Sequence, residues 1–393
     1  MPFRPGTFLR SRKLWSGAWL LAGLAGCVEP YAPDVINDPT TSYLVVDGFL
    51  NARGRTRIRL SRTTVLAADK ATPLETGASL TIEGQQDGAR YLLREIASGT
   101  YVSDSLRLDE TQQYRLQIST QRNTAYASAF VPVLLTPPID SVRWRSENDQ
   151  AINISLDAHD ETGQARYFRW QGTETWEIVP THVPIIEYVN DTIRPIRVRY
   201  PRVCWTGQQV SSIRLADLTA LSSSVVRDQL FHSLPILSKP LFSRYSLLVQ
   251  QYAISKEEHQ YWTTLKKNTE SLGTLFDPQP VQLTGNVQSL TDPTEPVLGY
   301  VGAHSQTEKR IFISRSELRN SLRIASEYDG RCARLDTLSV YEAYLFKSPG
   351  IVPVGIIVGP FGISGYTWSI PTCIDCRRRG TDVRPSYWPK ESF

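Results

Sequence analysis

The cysteines carry the most legible chemistry in this chain of 393 residues. Cys27 closes the tetrapeptide Leu24-Ala25-Gly26-Cys27. Ahead of it stand Arg4, Arg10, Arg12 and Lys13 with no acidic residue, then an apolar stretch from Leu14 to Leu24. A basic start followed by an apolar run about half as long as the ~20 residues of a spanning helix fits an export signal. Leucine, two small residues and then cysteine match the pattern at which a bacterial lipoprotein signal is cut. The thiol takes a diacylglycerol, the small residues fit the peptidase, and the new amino group can be acylated. Acyl chains hold a protein on a bilayer by ~0.8 kcal/mol per buried methylene. Residues 1–26 therefore read as a signal peptide, with Cys27 as the lipidation site. Residues 27–40 are proline-containing and aperiodic, as in a tether. Val28 follows the cysteine in place of an aspartate, so nothing there indicates inner-membrane retention, and the residues do not choose a leaflet.

The remaining cysteines, Cys204, Cys332, Cys373 and Cys376, form an even set in an exported chain, which implies two disulfides with three possible pairings. A redox role for Cys373 and Cys376 would require a helix N-terminus in a βαβ unit. Instead Pro371 precedes the pair and Arg377-Arg378-Arg379 follows it. Zinc would require a second close pair, which is missing.

His159, His182, His232, His259 and His304 are scattered, with no short metal-binding spacing. No nucleophile-elbow, phosphate-loop or dinucleotide motif occurs. Asp157 with Asp160 and Glu161, and Glu174 with Glu177, have the type of paired glycosidase acids, but that chemistry needs a set separation across a cleft. The reading is a non-enzymatic chain with no catalytic residue, metal or cofactor beyond the lipid on Cys27. The chain carries 43 Lys+Arg against 39 Asp+Glu. Removing the signal removes four bases, which leaves 39 of each. A neutral body has no global field for polyanions, so nucleic acid is not an expected partner.

Short strands with polar turns fill residues 41–138, among them Arg55–Arg62, Ser79–Glu83, Ala89–Glu95 and Gln113–Ser119. Gly84-Gln85-Gln86-Asp87-Gly88 is a hairpin signal. About seven strands without a long helix imply an immunoglobulin-like β-sandwich ending near Pro137-Pro138. Residues 139–393 read as a larger β-rich domain with one or two short helices. The clearer helix begins at Ser255-Lys256-Glu257-Glu258, a capping box, and runs to Leu272, with Gly273 as its stop. A weaker one is expected over Ile213–Ser222. The overall expectation is a mainly β chain. Its aromatic residues, including Trp144, Trp170, Trp176 and Trp205, are expected mostly in strand packing.

Several stretches together carry a resemblance. They are Leu44-Val45-Val46-Asp47-Gly48, Arg166-Tyr167-Phe168-Arg169-Trp170, Cys204-Trp205, Tyr261-Trp262-Thr263-Thr264-Leu265, Phe276-Asp277-Pro278, Gly285-Asn286-Val287, Val297-Leu298-Gly299-Tyr300 and Cys373-Ile374-Asp375-Cys376-Arg377. The chain resembles Bacteroidota lipoproteins grouped under a domain-of-unknown-function label, DUF-4249. The resemblance implies an outer-membrane lipoprotein in the company of TonB-dependent transporters, and supplies no catalytic residues. The expectation is an accessory subunit of such a transporter, with Tyr261, Trp262, Phe276 and Tyr300 as candidate partner contacts. A stand-alone glycan- or peptide-binding surface lipoprotein and an envelope-assembly factor are the rival readings.

Overall fold

Period-two alternation sets the strands of the first domain. In Arg53–Arg62, Thr56, Ile58, Leu60 and Arg62 are buried while Arg55, Arg57 and Arg59 face water. The computed structural model describes residues 42–64, 72–148, 150–270, 283–318, 332 and 334–390. Residues 1–26, the tether with Cys27, and Phe276 with the expected helix end at Leu272 and Gly273 lie outside the described residues.

The chain is mostly β. The first eight strands are β1 (Leu44–Asn51), β2 (Arg53–Arg62), β3 (Ser79–Gly84), β4 (Arg90–Ala97), β5 (Thr100–Arg107), β6 (Gln113–Ser119), β7 (Ala125–Ser128) and β8 (Val131–Leu134). The Gly84–Gly88 turn joins β3 to β4 with Glu83 opposite Arg90, and Gly88 takes φ 64°. β8 pairs with β6, so the edges of this sandwich are joined.

Next come β9 (Ile139–Glu147), β10 (Ala151–His159), β11 (Tyr167–Ile178), β12 (Ile186–Val189), β13 (Thr192–Pro195), β14 (Cys204–Gln209), β15 (Arg214–Asp217), β16 (Val225–Pro235) and β17 (Arg244–Ile254). Helix α1 (Lys256–Glu270) follows, then β18 (Val287–Ser289), β19 (Ala303–His304) and β20 (Thr307–Ser314). The sheet β16-β10-β9 packs on the sheet β14-β11-β17-β20, in which β15 also pairs with β11. Phe168, Trp170, Phe231, Tyr245 and Leu247 lie in the core of this second sandwich. The expected helix over Ile213–Ser222 is instead β15 and a turn. Pairing Phe168 with Ala216 and the bond from Thr219 N to Asp217 Oδ1 (2.9 Å) outweigh the local helical pattern.

The division at residue 138 misses a return of the chain. β18 pairs with β7, and β19 lies parallel between β1 and β8. Val287, Val297, Val301 and Ala303 enter the first core, because only there can these apolar residues be covered. Glycine allows the close approach: a Cβ on Gly285 would stand 1.8 Å from Gly299 O. Asn286 completes the path, accepting from Val301 N (2.8 Å) and donating to Val301 O (3.0 Å).

A third unit caps the far end of the second sandwich. It contains the sheet of β21 (Asp336–Ser339), β23 (Gly362–Ser369) and β22 (Val352–Gly359), with the β12–β13 hairpin beside β22. Cys204 is bonded to Cys376 and Cys332 to Cys373, which decides between the three pairings. Among the described residues, no helix is long and apolar enough to cross a membrane.

Candidate partner-binding site

Helix α1 begins because Ser255 Oγ accepts from the Glu258 amide at 3.1 Å. Only half of the expected capping box forms. The Glu258 carboxylate turns inward, accepting from Trp262 Nε1 at 3.2 Å and meeting His304 Nε2 at 3.5 Å. Glu258, His304 and Arg169 are all buried. The Arg169 guanidinium lies between two aromatic rings, 4.6 Å from the Tyr252 centroid and 4.1 Å from that of Trp262. His304 stacks on Phe49 at 4.3 Å. Phe49 and His304 belong to the first sandwich and Arg169 and Tyr252 to the second, so this cluster is the junction of the two.

The electrostatics follow from burial. Desolvation alone would raise the Glu258 carboxyl, but His304, Arg169 and the Trp262 N–H together hold it below its ordinary value. Burial lowers the Arg169 guanidinium, which Glu258 partly offsets. Burial pushes the Tyr252 hydroxyl up to about 12. Gly302 is required beside this cluster, since a Cβ there would stand 2.0 Å from Glu258 Oε2. The connecting segments are tied as well. Thr136 N donates to Ser305 Oγ (2.8 Å), and Gln251 Nε2 and Thr307 Oγ1 donate to Pro137 O (2.8 and 2.9 Å). The Pro137-Pro138 boundary is thus a hydrogen-bonded strap.

On the outer side of α1, Tyr261 and Tyr300 come together with centroids 5.6 Å apart. They line a groove of about 710 Å³ with Ser255, Gln260, Phe130 and Asn286. Burial, with the nearby Asp47 charge, pushes the Tyr261 hydroxyl up to about 12. The structure therefore separates the candidate contacts. Tyr261 and Tyr300 share this groove, Trp262 turns toward Arg169, and Phe276 is outside the described residues. Arg169, Glu258 and His304 escaped the sequence reading as a group. Glu258 four residues before Trp262 and the isolated His304 were the available signals.

The acidic pairs do not face one another across a cleft. Glu174 and Glu177 fall on opposite faces of β11. Glu174 accepts from Gln208 Nε2 (2.8 Å) and Tyr245 OH (2.9 Å), and His232 Nε2 lies 3.0 Å away. Glu177 accepts from Trp388 Nε1 (2.7 Å) and Ser243 Oγ (2.8 Å). Asp157 accepts from Ser141 and the Asp228 amide, and Asp160 caps its own turn through Thr162 and Ala165. Among the described residues, no group of three His, Cys, Asp or Glu could hold a metal ion.

The architecture defines a mostly β protein of two joined sandwiches and a disulfide-bonded cap. Over residues 28–310 it matches the family described as "Domain of unknown function (DUF4249)". The chain belongs to that family. The match ends at residue 310, ahead of β21–β23, whereas the resemblance in the sequence extends through Cys373–Arg377 to Arg384-Pro385-Ser386-Tyr387-Trp388. No curated protein matches. Among solved structures, the chain is similar to a two-domain fibronectin type-III segment from chicken tenascin. That similarity has 10% identity, 53% of this chain and 90% of that one covered, and a TM-score of 0.16.

Proposed function

We propose that the protein is a non-enzymatic outer-membrane lipoprotein of the Bacteroidota type, held by lipid on Cys27, that serves as an accessory subunit of a TonB-dependent transporter. One observation carries this reading: the order of parts along the molecule. Ser42 enters β1 at the end away from the junction, with the Phe49 end of the strand at the junction. β11 then leads from Arg169 at the junction to Ile178, which packs with Cys204 and Cys376 at the cap. At ~3.3 Å per residue, β11 alone spans about 40 Å. A tether at one end, a locked joint and a stapled cap at the other suit a protein that holds a partner-facing surface at a fixed distance from its anchor. The full-length chain is to be purified from outer membranes in mild detergent. Co-recovery of a transporter barrel is expected. Recovery without any barrel, under conditions that preserve known pairs, refutes the reading.

The Tyr261–Tyr300 groove favours a second reading, a binding module for a glycan or peptide. Paired aromatic faces with Ser255, Gln260 and Asn286 around them can stack on a sugar and bond its hydroxyls. Calorimetric titration of glycans into the wild-type chain and a Tyr261→Ala variant tests it: equal heats for both remove the groove from consideration.

A further inference from the structure

Large apolar side chains stand exposed in two different settings. At the tip of the β22–β23 hairpin, Val358, Phe361 and Ile363 are exposed in a stretch, residues 348–374, that has no Asp, Glu, Lys or Arg, so charge selects no occupant there. On the first sandwich, Leu92 (67% exposed) and Ile96 (60%) stand on β4 on either side of Arg94. Leu93 enters the core, so the period of two turns Leu92 and Arg94 outward. Strand register carries this face across three strands. Arg94 pairs with Val102 of β5, and Val102 pairs with Arg57 of β2. Arg55 and Arg59 flank Arg57 on the outward side, since Thr56, Ile58 and Leu60 are fully buried. By strand geometry Arg94 and Arg57 are ~10 Å apart and Leu92 is ~7 Å from Arg94. Basic and apolar side chains therefore share one patch.

The charges of this patch are free. Arg53, Arg62 and Arg115 of the same sandwich are ion-paired with Glu110, Glu75 and Glu83, but Arg55, Arg57, Arg59 and Arg94 make no side-chain hydrogen bond or ion pair among the described residues. All four are exposed. The unpaired acids on the face are Asp47, opposite Arg59, and Asp104 on β5, so four free arginines stand against two acids in a body that is otherwise neutral. Like charges set side by side on a sheet disfavour the fold, and exposed apolar groups among them mark a contact. The planar fork of arginine matches phosphate oxygens. Basic residues near an anionic leaflet add attraction, and apolar side chains between them suit the headgroup boundary. A soluble polyanion makes no use of Leu92 and Ile96, and a symmetric contact between two copies would set like charges face to face.

We infer that the outer face of β4, β5 and β2 docks on a bilayer bearing anionic phosphate headgroups, with Arg55, Arg57, Arg59 and Arg94 on the phosphates and Leu92 and Ile96 between them. The place where the chain enters the sandwich supports this occupant. Leu44 pairs with Arg62, so the chain joins β1 beside the end of β2, ~10 Å along the strand from Arg59. The 15 residues from Cys27 to Thr41 reach at most about 50 Å. The reach to the bilayer rests on the lipid on Cys27 of the proposed function, whereas the charge pattern does not. A lipid on one residue leaves a domain free to turn. A second contact lays β4, β5 and β2 flat on the membrane and fixes which side of the first sandwich faces it.

The test uses the full chain without its signal and with Cys27→Ser, so that no lipid contributes. It is mixed at low salt with vesicles of phosphatidylglycerol and phosphatidylcholine, with vesicles of phosphatidylcholine alone, and with dextran sulfate as a soluble polyanion. Co-sedimentation with the anionic vesicles is expected, weakened by salt. Arg57→Glu with Arg94→Glu should reduce it at least tenfold, and Leu92→Ser with Ile96→Ser about threefold or more. Arg197→Glu with Arg199→Glu makes the same charge change at exposed arginines away from this face and should alter binding less than about twofold. The added indole of a Leu92→Trp variant should emit further to the blue on the vesicles and be quenched by brominated acyl chains, a readout that needs no charge reversal. Failure of the unsubstituted chain to bind anionic vesicles at low salt overturns the inference. So do equal losses from the two arginine pairs, or binding of dextran sulfate through Arg57 and Arg94 without binding of vesicles. None of these outcomes depends on whether the full-length chain co-purifies with a transporter, so this test and that of the accessory-subunit reading fail separately.

Discussion

The junction and the cap hairpin invert the usual surface rule in opposite directions. At the junction, Arg169, Glu258 and His304 are buried charged or titratable groups: Glu258 meets His304 and Trp262, Arg169 lies between the Tyr252 and Trp262 rings, and His304 stacks on Phe49. At the hairpin, Phe361, Val358 and Ile363 are apolar and unanswered. Buried charges that find partners inside the chain serve the fold, because an unpaired one costs several kcal/mol. Exposed apolar groups without such partners serve something outside it. The contrast places rigidity at the middle of the molecule and leaves apolar surface open at its end.

The largest expected effect tests what holds the cap in place. Replacing Cys204 and Cys376 by serine opens a loop of 172 residues. By chain entropy this bond contributes about 5 kcal/mol. Limited proteolysis should cut the cap first while the sandwiches stay intact, and simultaneous loss of all three units would show that the cap is not separable. Next, Glu258→Ala should cost ~3–5 kcal/mol in denaturant unfolding, because it removes the buried carboxylate that meets His304 and accepts from Trp262 Nε1 and leaves the buried Arg169 charge without its nearby counter-charge. The double variant with Arg169→Ala should cost less than the sum of the two single ones. Phe361→Asp and Val358→Asp, in contrast, should change stability by no more than ~0.5 kcal/mol. A large loss there would make the hairpin part of the fold and end the contrast.

Acidity sharpens the same comparison. Glu258 and Glu174 are both held below their ordinary value of 4.5, against the desolvation that would raise them. The unfolded chain then takes up protons first as pH falls. Their contribution is full above the ordinary carboxylate range and is lost as pH drops through it toward the lower folded values. Denaturant midpoints measured between pH 7 and 3 should fall in the wild type and fall less steeply in Glu258→Gln. The smallest effect is spectroscopic. Tyr261 and Tyr252 should ionise at about 12, above the free value of 10, and Tyr261→Phe should remove one such step from the absorbance titration.

Local rules made much of the fold legible. Alternation in Arg55–Arg62 and Gln113–Ser119, the glycine-bounded turn at 84–88 and the Ser255 cap all read correctly from neighbours in sequence. Ile213–Ser222 misled because its helical spacing competes with pairing to β11, a partner about 45 residues away. The return of residues 283–305 to the first sandwich was hidden for the same reason: Val287 and Val301 look like any short apolar run until a distant core needs them. At the site, Tyr261, Trp262 and Tyr300 were singled out together, but the side of α1 each one faces depends on what packs against the helix.

Composition and short spacing determined the β class of the chain, the even set of four cysteines and the uncharged stretch at 348–374. These depend on residue type and on periods of a few residues, which no tertiary contact alters. Only the folded structure decided the pairing of Cys204 with Cys376, the closing of the first sandwich by a distant segment, the burial of Arg169 with Glu258 and the exposure of Phe361. Each of these is set by which surfaces cover which, and an apolar or charged residue has the same letter whether it is buried or facing water.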